Sequence, residues 1–168
     1  QLKDLNAGIA PRTGWSTVRT TVRYSDAVPW YHHFAKRQFL ITDYMRGRHE
    51  LDFTPEPDMF HDIFGHLPFL TQKFYAQIED KFAPAYLKAT QAEREVIKRL
   101  AWYSTEFGLV VQDNRFKVFG AGIISGRSEL THTIMEFYRL GRDNVIDYSK
   151  NVFNQLEKHF QTHKKDLH

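Results

Sequence analysis

Cysteine is missing from all 168 positions of this chain, which excludes disulfides and thiolate metal sites and fits a reducing compartment. No run of 18 apolar residues occurs, so no segment is expected to span a membrane, and the first residues carry no signal-peptide pattern. A dominant charge sign is missing too. Twenty-three Lys and Arg stand against 20 Asp and Glu, and the resulting +3 is interspersed along the chain. Such a surface is thin support for an anionic partner, and the basic stretch Lys158–His168 reads as a solvated helix end rather than a nucleic-acid patch. We therefore expect a cytoplasmic protein with neither nucleic acid nor membrane among its partners. The chain opens on Gln1 rather than methionine, as a fragment of a longer protein would.

Aromatic residues are plentiful: 14 Phe, 8 Tyr and 3 Trp are enough to line both a core and a pocket. At this length one domain, residues 1–168, is expected to bury roughly 70% of its extended surface. The first dozen residues, through Pro11 and Gly14, read as a loop or arm, and Thr17–Tyr24 as an extended segment. Asp26 to Pro29 start a helix expected to run to about Arg46, with Trp30, Phe34 and Ile41 inward. Thr71 caps a helix carrying Phe74, Ile78 and Phe82 and broken near Pro84. Thr90-Gln91-Ala92-Glu93 is a capping box. Val96, Leu100, Tyr103 and Phe107 follow it at helical spacing as a core stripe. Val110-Val111 and Phe116–Phe119 flank Gln112-Asp113-Asn114-Arg115 in a hairpin pattern. Ser128 opens a helix that Gly141 closes, and Ile146, Ser149, Phe153, Leu156 and Phe160 mark a last one. The fold class is mainly α with a small β component (α+β).

Chemistry concentrates in two phrases. One is Thr54-Pro55-Glu56-Pro57-Asp58-Met59-Phe60-His61-Asp62-Ile63-Phe64-Gly65-His66-Leu67-Pro68, and the other is Trp102-Tyr103-Ser104-Thr105-Glu106-Phe107-Gly108. On a regular helix His61 and His66 would point about 140° apart, a poor arrangement for one metal. A helix that distorts or ends at Gly65, before Pro68, brings both rings to one point. The alternative is a pair of helix-end histidines, one packed against Phe60, Ile63 and Phe64. Glu106 lies beside its apolar stripe, so its carboxylate is directed inward and needs a partner charge, hydrogen bonds or a metal. The alternative there is a solvated glutamate at a helix end. Two imidazoles and a carboxylate form the facial ligand set of non-haem Fe(II) oxygenases, which leaves positions open for O2 and a co-ligand.

In this order and with these flanks, the two phrases resemble the pterin-dependent aromatic amino acid hydroxylases (the phenylalanine hydroxylase family), over roughly residues 13–130. The resemblance implies that fold's catalytic domain and iron held by His61, His66 and Glu106. It implies that Arg46, in Tyr44-Met45-Arg46, clamps the substrate carboxylate by its guanidinium fork. Thr54, Pro57, Trp102 and Phe107 would line the amino-acid pocket, and Ser125, in Phe119-Gly120-Ala121-Gly122-Ile123-Ile124-Ser125, would lie near the substrate. On the pterin side, Asp62 stands where the family usually has glutamate, and Tyr24 offers a stacking face within the replaced loop Val22–Ala27. Leu40 and Ala101 replace a histidine and an aromatic residue. The implied function is a non-haem Fe(II)-dependent monooxygenase hydroxylating a phenylalanine-like aromatic amino acid with O2 and a tetrahydropterin. The alternatives are an Fe(II) oxygenase for another small aromatic acid with a different electron donor, and a non-catalytic ligand-binding or subunit descendant. A homodimer is a further expectation.

Overall fold

A parallel pair of short strands organises the first half of the computed structural model, which describes residues 2–23, 25–52, 54–113 and 115–140. Strands β1 (Ser16–Thr20) and β2 (Gln38–Thr42) pair in register from Ser16 opposite Gln38 to Thr20 opposite Thr42. Helix α2 (Ala27–Phe34) makes the crossover between them, as parallel pairing requires. Phe39, Leu40, Ile41 and Thr42 are all buried, the continuous burial of a strand covered on both faces. The expected helix from Asp26 to Arg46 is therefore corrected. It stops at Phe34, because Arg37 takes a left-handed φ of 54° and turns the chain into β2. Arg37 is held there by two hydrogen bonds to Asp80, at 3.0 and 2.9 Å.

The first dozen residues are a helix, α1 (Leu2–Thr13), and not a loop. Its Asn6 side chain accepts from Thr17 N at 2.6 Å and so ties α1 to β1. Pro11 sits inside the helix at the cost of one backbone donor.

The second half is helical. A π-turn (His61–His66) runs into α3 (Leu67–Leu70), followed by α4 (Lys73–Lys88) and α5 (Gln91–Ala101). A second π-turn (Trp102–Glu106) follows, then the antiparallel hairpin β3 (Leu109–Gln112) and β4 (Arg115–Val118). Short α6 (Ala121–Ser125) and then α7 (Arg127–Leu140) end the described part. The capping box of α5 is as read: Thr90 N donates to Glu93 Oε2 at 2.6 Å. Two expected stripes are displaced. Helix α4 buries Tyr75, Ala76, Glu79, Ala83 and Tyr86 while Phe74 and Ile78 are exposed, and it continues through Pro84. Small Ala76 and Ala83 let that face approach the core closely, which outweighs the larger residues beside it. Along α5, which buries none of its residues, Leu100 is exposed; Tyr103 is exposed in the π-turn, which rotates Glu106 and Phe107 away from the α-helical continuation.

The core joins these elements through aromatic contacts. Trp15, fully buried, meets Phe34 edge-on at 5.1 Å, and Tyr31 stacks on Tyr86 at 4.1 Å. Residues 1–130 form one compact unit and 131–168 another. The expected helix at Ile146–Phe160, the stop at Gly141 of the helix opened by Ser128, the basic tail and Tyr24 lie outside the described residues.

Gly65 needs no unusual backbone. A Cβ there would lie 2.9 Å from the Ala121 Cβ and 3.1 Å from the Ala121 carbonyl, so glycine lets α6 press onto the first π-turn. Gly65→Ala is expected to destabilise the fold by about 1–3 kcal/mol through overpacking. Gly8→Ala, where nothing lies within 4 Å of the added carbon, should stabilise α1 by about 0.5–1 kcal/mol. Urea unfolding of the two variants measures both signs.

Candidate metal centre and pocket

The five-residue spacing of His61 and His66 is resolved by backbone geometry. In a π-turn, i→i+5 hydrogen bonds replace i→i+4 ones, so residues five apart come nearly one above the other. The second turn is closed in the same way, with Phe107 N donating to Trp102 O at 3.0 Å. His61 Nε2 and His66 Nε2 lie 3.0 Å apart. Glu106 Oε1 is 3.0 Å from His66 Nε2, and Oε2 is 3.5 Å from His61 Nε2. Atoms held about 2.1 Å from one ion at right angles would be about 3.0 Å apart, so this donor set fits one face of an octahedral first-row metal. Among the described residues, these three form the group of His and carboxylate side chains that could hold an ion.

The partners of each ligand prepare it for that role. Ser125 Oγ donates to the Ala121 carbonyl at 2.8 Å, so it accepts from His61 Nδ1, also at 2.8 Å. The His61 proton therefore sits on Nδ1 and leaves the Nε2 lone pair free. Burial, reinforced by the charge of His66, pushes His61 down to about 4, so this imidazole is neutral at ordinary pH. For His66, burial opposes the charged form, but the Glu106 carboxylate and its hydrogen bond prevail and raise it. Burial pushes Glu106 upward; the positive charge and hydrogen bond of His66 outweigh it and lower the carboxyl. The backbone of α6 closes the site from the third side. A Cβ on Gly120 would collide with the Glu106 carbonyl, so glycine is what allows the two segments to approach here.

Arg46 is placed beside the metal group, with its fork already partly engaged. Nε and Nη2 donate to the two oxygens of Asp58 at 2.9 and 2.7 Å, and Nη1 donates to the Ser125 carbonyl at 2.6 Å. Of the five guanidinium N–H bonds, three are used in this way and two remain. Asp58 also accepts from Arg46 N and from His61 N, both at 2.9 Å. Burial alone would raise the Asp58 carboxyl, but the Arg46 and backbone hydrogen bonds hold it below the usual carboxylate range. Asp62 is buried, accepts from Thr42 N at 2.8 Å, and is pushed by burial up to about 7.

A cavity of about 570 Å³ opens over the three ligands, and Arg46, Thr54, Pro57, Asp62, Trp102, Phe107 and Ser125 all line it. Every residue singled out from the sequence is thus brought together except Tyr24, which lies outside the described residues. Trp102, though half-exposed, packs its ring 4.6 Å from that of Phe107. Leu40 and Ala101 line the same cavity. Sequence reasoning missed Asp58, whose position three residues before His61 is the spacing of an N-terminal cap. It also missed Tyr75 and Glu79, whose i, i+4 spacing on α4 was hidden by assigning the neighbouring face to the core.

A mainly helical fold carrying two imidazoles and a carboxylate at the floor of an aromatic-walled pocket defines a class of mononuclear metal site. Comparison with known proteins gives the family. The family model for biopterin-dependent aromatic amino acid hydroxylases matches residues 1–165, and the chain belongs to that family. The phenylalanine-4-hydroxylase of Pseudomonas aeruginosa is 34% identical over 139 residues, 81% of this chain and 52% of that protein. The tyrosine 3-monooxygenase of Canis lupus familiaris is 34% identical over 136 residues, 81% of this chain and 27% of that one. Among solved structures, Chromobacterium violaceum phenylalanine hydroxylase with bound iron(III) and 7,8-dihydrobiopterin is similar at a TM-score of 0.73 and 34% identity. It covers 77% of this chain and 47% of that one. The Legionella pneumophila enzyme gives a TM-score of 0.75 at 29% identity, covering 79% and 57%. The chain spans about half the length of the bacterial curated relatives it matches. No helix among the described residues is long and apolar enough to cross a membrane.

Asp58→Ala should destabilise the protein by about 3–5 kcal/mol at neutral pH, because it strands the buried Arg46 guanidinium. The contribution of a carboxyl lowered by folding is complete above its unfolded value of 3.8 and is lost as pH falls through the lower folded value. Urea midpoints of the variant and the unmodified chain should therefore converge only in that acid range.

Proposed function

We propose that this chain is the catalytic part of an Fe(II)-dependent monooxygenase that hydroxylates the ring of phenylalanine or a closely similar amino acid, with O2 and a tetrahydropterin. The observation that carries the reading is the triad His61, His66 and Glu106, at 3.0–3.5 Å separations, opening into a pocket that also holds Arg46. The family supports it, as do the names of the relatives and the iron and dihydrobiopterin of the Chromobacterium structure. Bound iron would supply O2 activation, with the reduced pterin as the source of electrons.

The chain's own residues bind and orient. The two remaining N–H bonds of Arg46 meet the substrate carboxylate, and Asp58 holds the guanidinium in place by two hydrogen bonds. Thr54, Pro57, Trp102 and Phe107 confine the substrate, and Ser125 holds the His61 tautomer. Asp62 faces the pterin, with Tyr24 as its stacking partner. Residues 1–168 act as one catalytic domain. Its partners are then the amino acid, O2 and the pterin, with no nucleic acid or membrane. The cysteine-free composition goes with a cytoplasmic location. A homodimer is the accompanying assembly, to be checked by sedimentation. The aliphatic surfaces of Leu40 and Ala101 in the cavity favour one second reading, an oxygenase of another aromatic acid with a different electron donor.

The test is anaerobic Fe(II) loading followed by O2 and L-phenylalanine, with and without tetrahydrobiopterin. Tyrosine formed only when all three are supplied supports the first reading, whereas equal turnover without pterin supports the second. His61→Ala should lose iron and turnover together, and full iron occupancy in that variant would overturn the ligand set. Arg46→Lys retains the charge but loses the fork, so substrate binding should weaken roughly 10- to 100-fold while iron content holds.

A further inference from the structure

Helix α4 places a phenol and a carboxylate behind the metal site, and the pocket has no use for either. Tyr75 is 1% exposed, and its hydroxyl lies 3.5 Å from His66 Nδ1. Glu79, one helical turn further on the same face, is 6% exposed. Among the described residues no cation is paired with it at salt-bridge distance. A carboxylate in such a place is costly unless a charge or hydrogen bonds answer it. Within its reach is the Tyr75 hydroxyl, four residues back on the same buried face, which Thr105 also approaches, while His66 acts on Glu79 through space.

We propose that Tyr75 and Glu79 are positioning residues for the metal ligand His66, forming a carboxylate–phenol–imidazole line that fixes its tautomer and strengthens it as a donor. The proposal rests on the reading of His61, His66 and Glu106 as a metal site. To ligate, His66 must offer the lone pair of Nε2, the nitrogen that faces His61 and Glu106, so its proton must stand on Nδ1. Nδ1 then donates to the Tyr75 hydroxyl oxygen, and the hydroxyl hydrogen turns to Glu79. Each bond orients the next, and the negative end of the line answers the charge of the ion. Histidine ligands generally need such outer partners, and their loss weakens metal binding by about 10- to 100-fold. His61 receives the same service from Ser125 of α6, so the two imidazoles are held by different elements.

The test is anaerobic titration with Co(II), followed by its visible absorption, on the unmodified chain, Tyr75→Phe, Glu79→Gln and Tyr86→Phe. Tyr86 is an equally buried phenol on the same helix. Tyr75→Phe keeps the ring in the core and should lower Co(II) affinity about tenfold or more, with shifted ligand-field bands. Glu79→Gln, which keeps an acceptor but not the charge, should fall between that variant and the unmodified chain. Tyr86→Phe should match the unmodified chain, which separates positioning from packing. Co(II) affinity within twofold and unchanged bands in Tyr75→Phe would overturn the proposal while leaving the metal site standing. Absence of Co(II) binding by the unmodified chain would overturn both.

Discussion

One carboxylate carries the architecture of the site. Asp58, wholly buried, accepts four hydrogen bonds: two from the Arg46 guanidinium, one from Arg46 N and one from His61 N. It therefore joins the loop beyond β2, at Arg46, to the beginning of the first π-turn. A buried guanidinium and a buried carboxylate each carry a desolvation cost that their pairing must offset. Here the pairing is bidentate, and backbone donors complete it. The group proposed to recognise substrate and the first proposed metal ligand, His61, are consequently not independent. A shift of Asp58 moves both.

The second constraint is backbone geometry. Both ligand-bearing phrases adopt π-turns, a form that is rare and concentrated at functional sites. Helix α6 lies against both, with Ala121 on Gly65 and Gly120 on the Glu106 carbonyl. Its serine also meets His61, and its carbonyl end meets Arg46. A five-residue helix is too short to be stable alone. Its order comes from the contacts it makes, and those contacts close the site.

Much of this was legible in the sequence, and the gaps have physical causes. The two phrases named the ligands, and the pocket residues were named by resemblance; both sets meet around one cavity. The mainly helical character, the α5 capping box and the hairpin were readable because each rests on local chemistry. What failed was phase. Tyr103 was placed inward by extending an α-helical period into a turn that does not keep it, and Leu100 lies on a helix that buries none of its residues. Phe74 and Ile78 marked that helix in the sequence while Tyr75 and Glu79 went unremarked, because apolar size is visible in a sequence while close approach across Ala76 and Ala83 is not. The helix carried past Phe34 failed on a non-local cause, since the pairing of β2 depends on β1 some twenty residues earlier.

The π-turns also say something about how such a chain can diverge. Each turn holds one residue more than an α-helical turn would, and each α-helical residue advances the chain by about 100°. Removing a single residue from Trp102–Glu106 would leave Glu106 anchored under α6 and swing the whole of α5 by about that angle, turning away the side it now lays on the rest of the chain. Substitution is open to these segments in a way that shortening is not. The exposed hairpin tip at Asp113 lies outside both turns and is not bound by that phase. Length variation in descendants of this chain is thus channelled by helical phase, and the two turns that carry His61, His66 and Glu106 act as fixed-length rulers within a sequence otherwise free to drift.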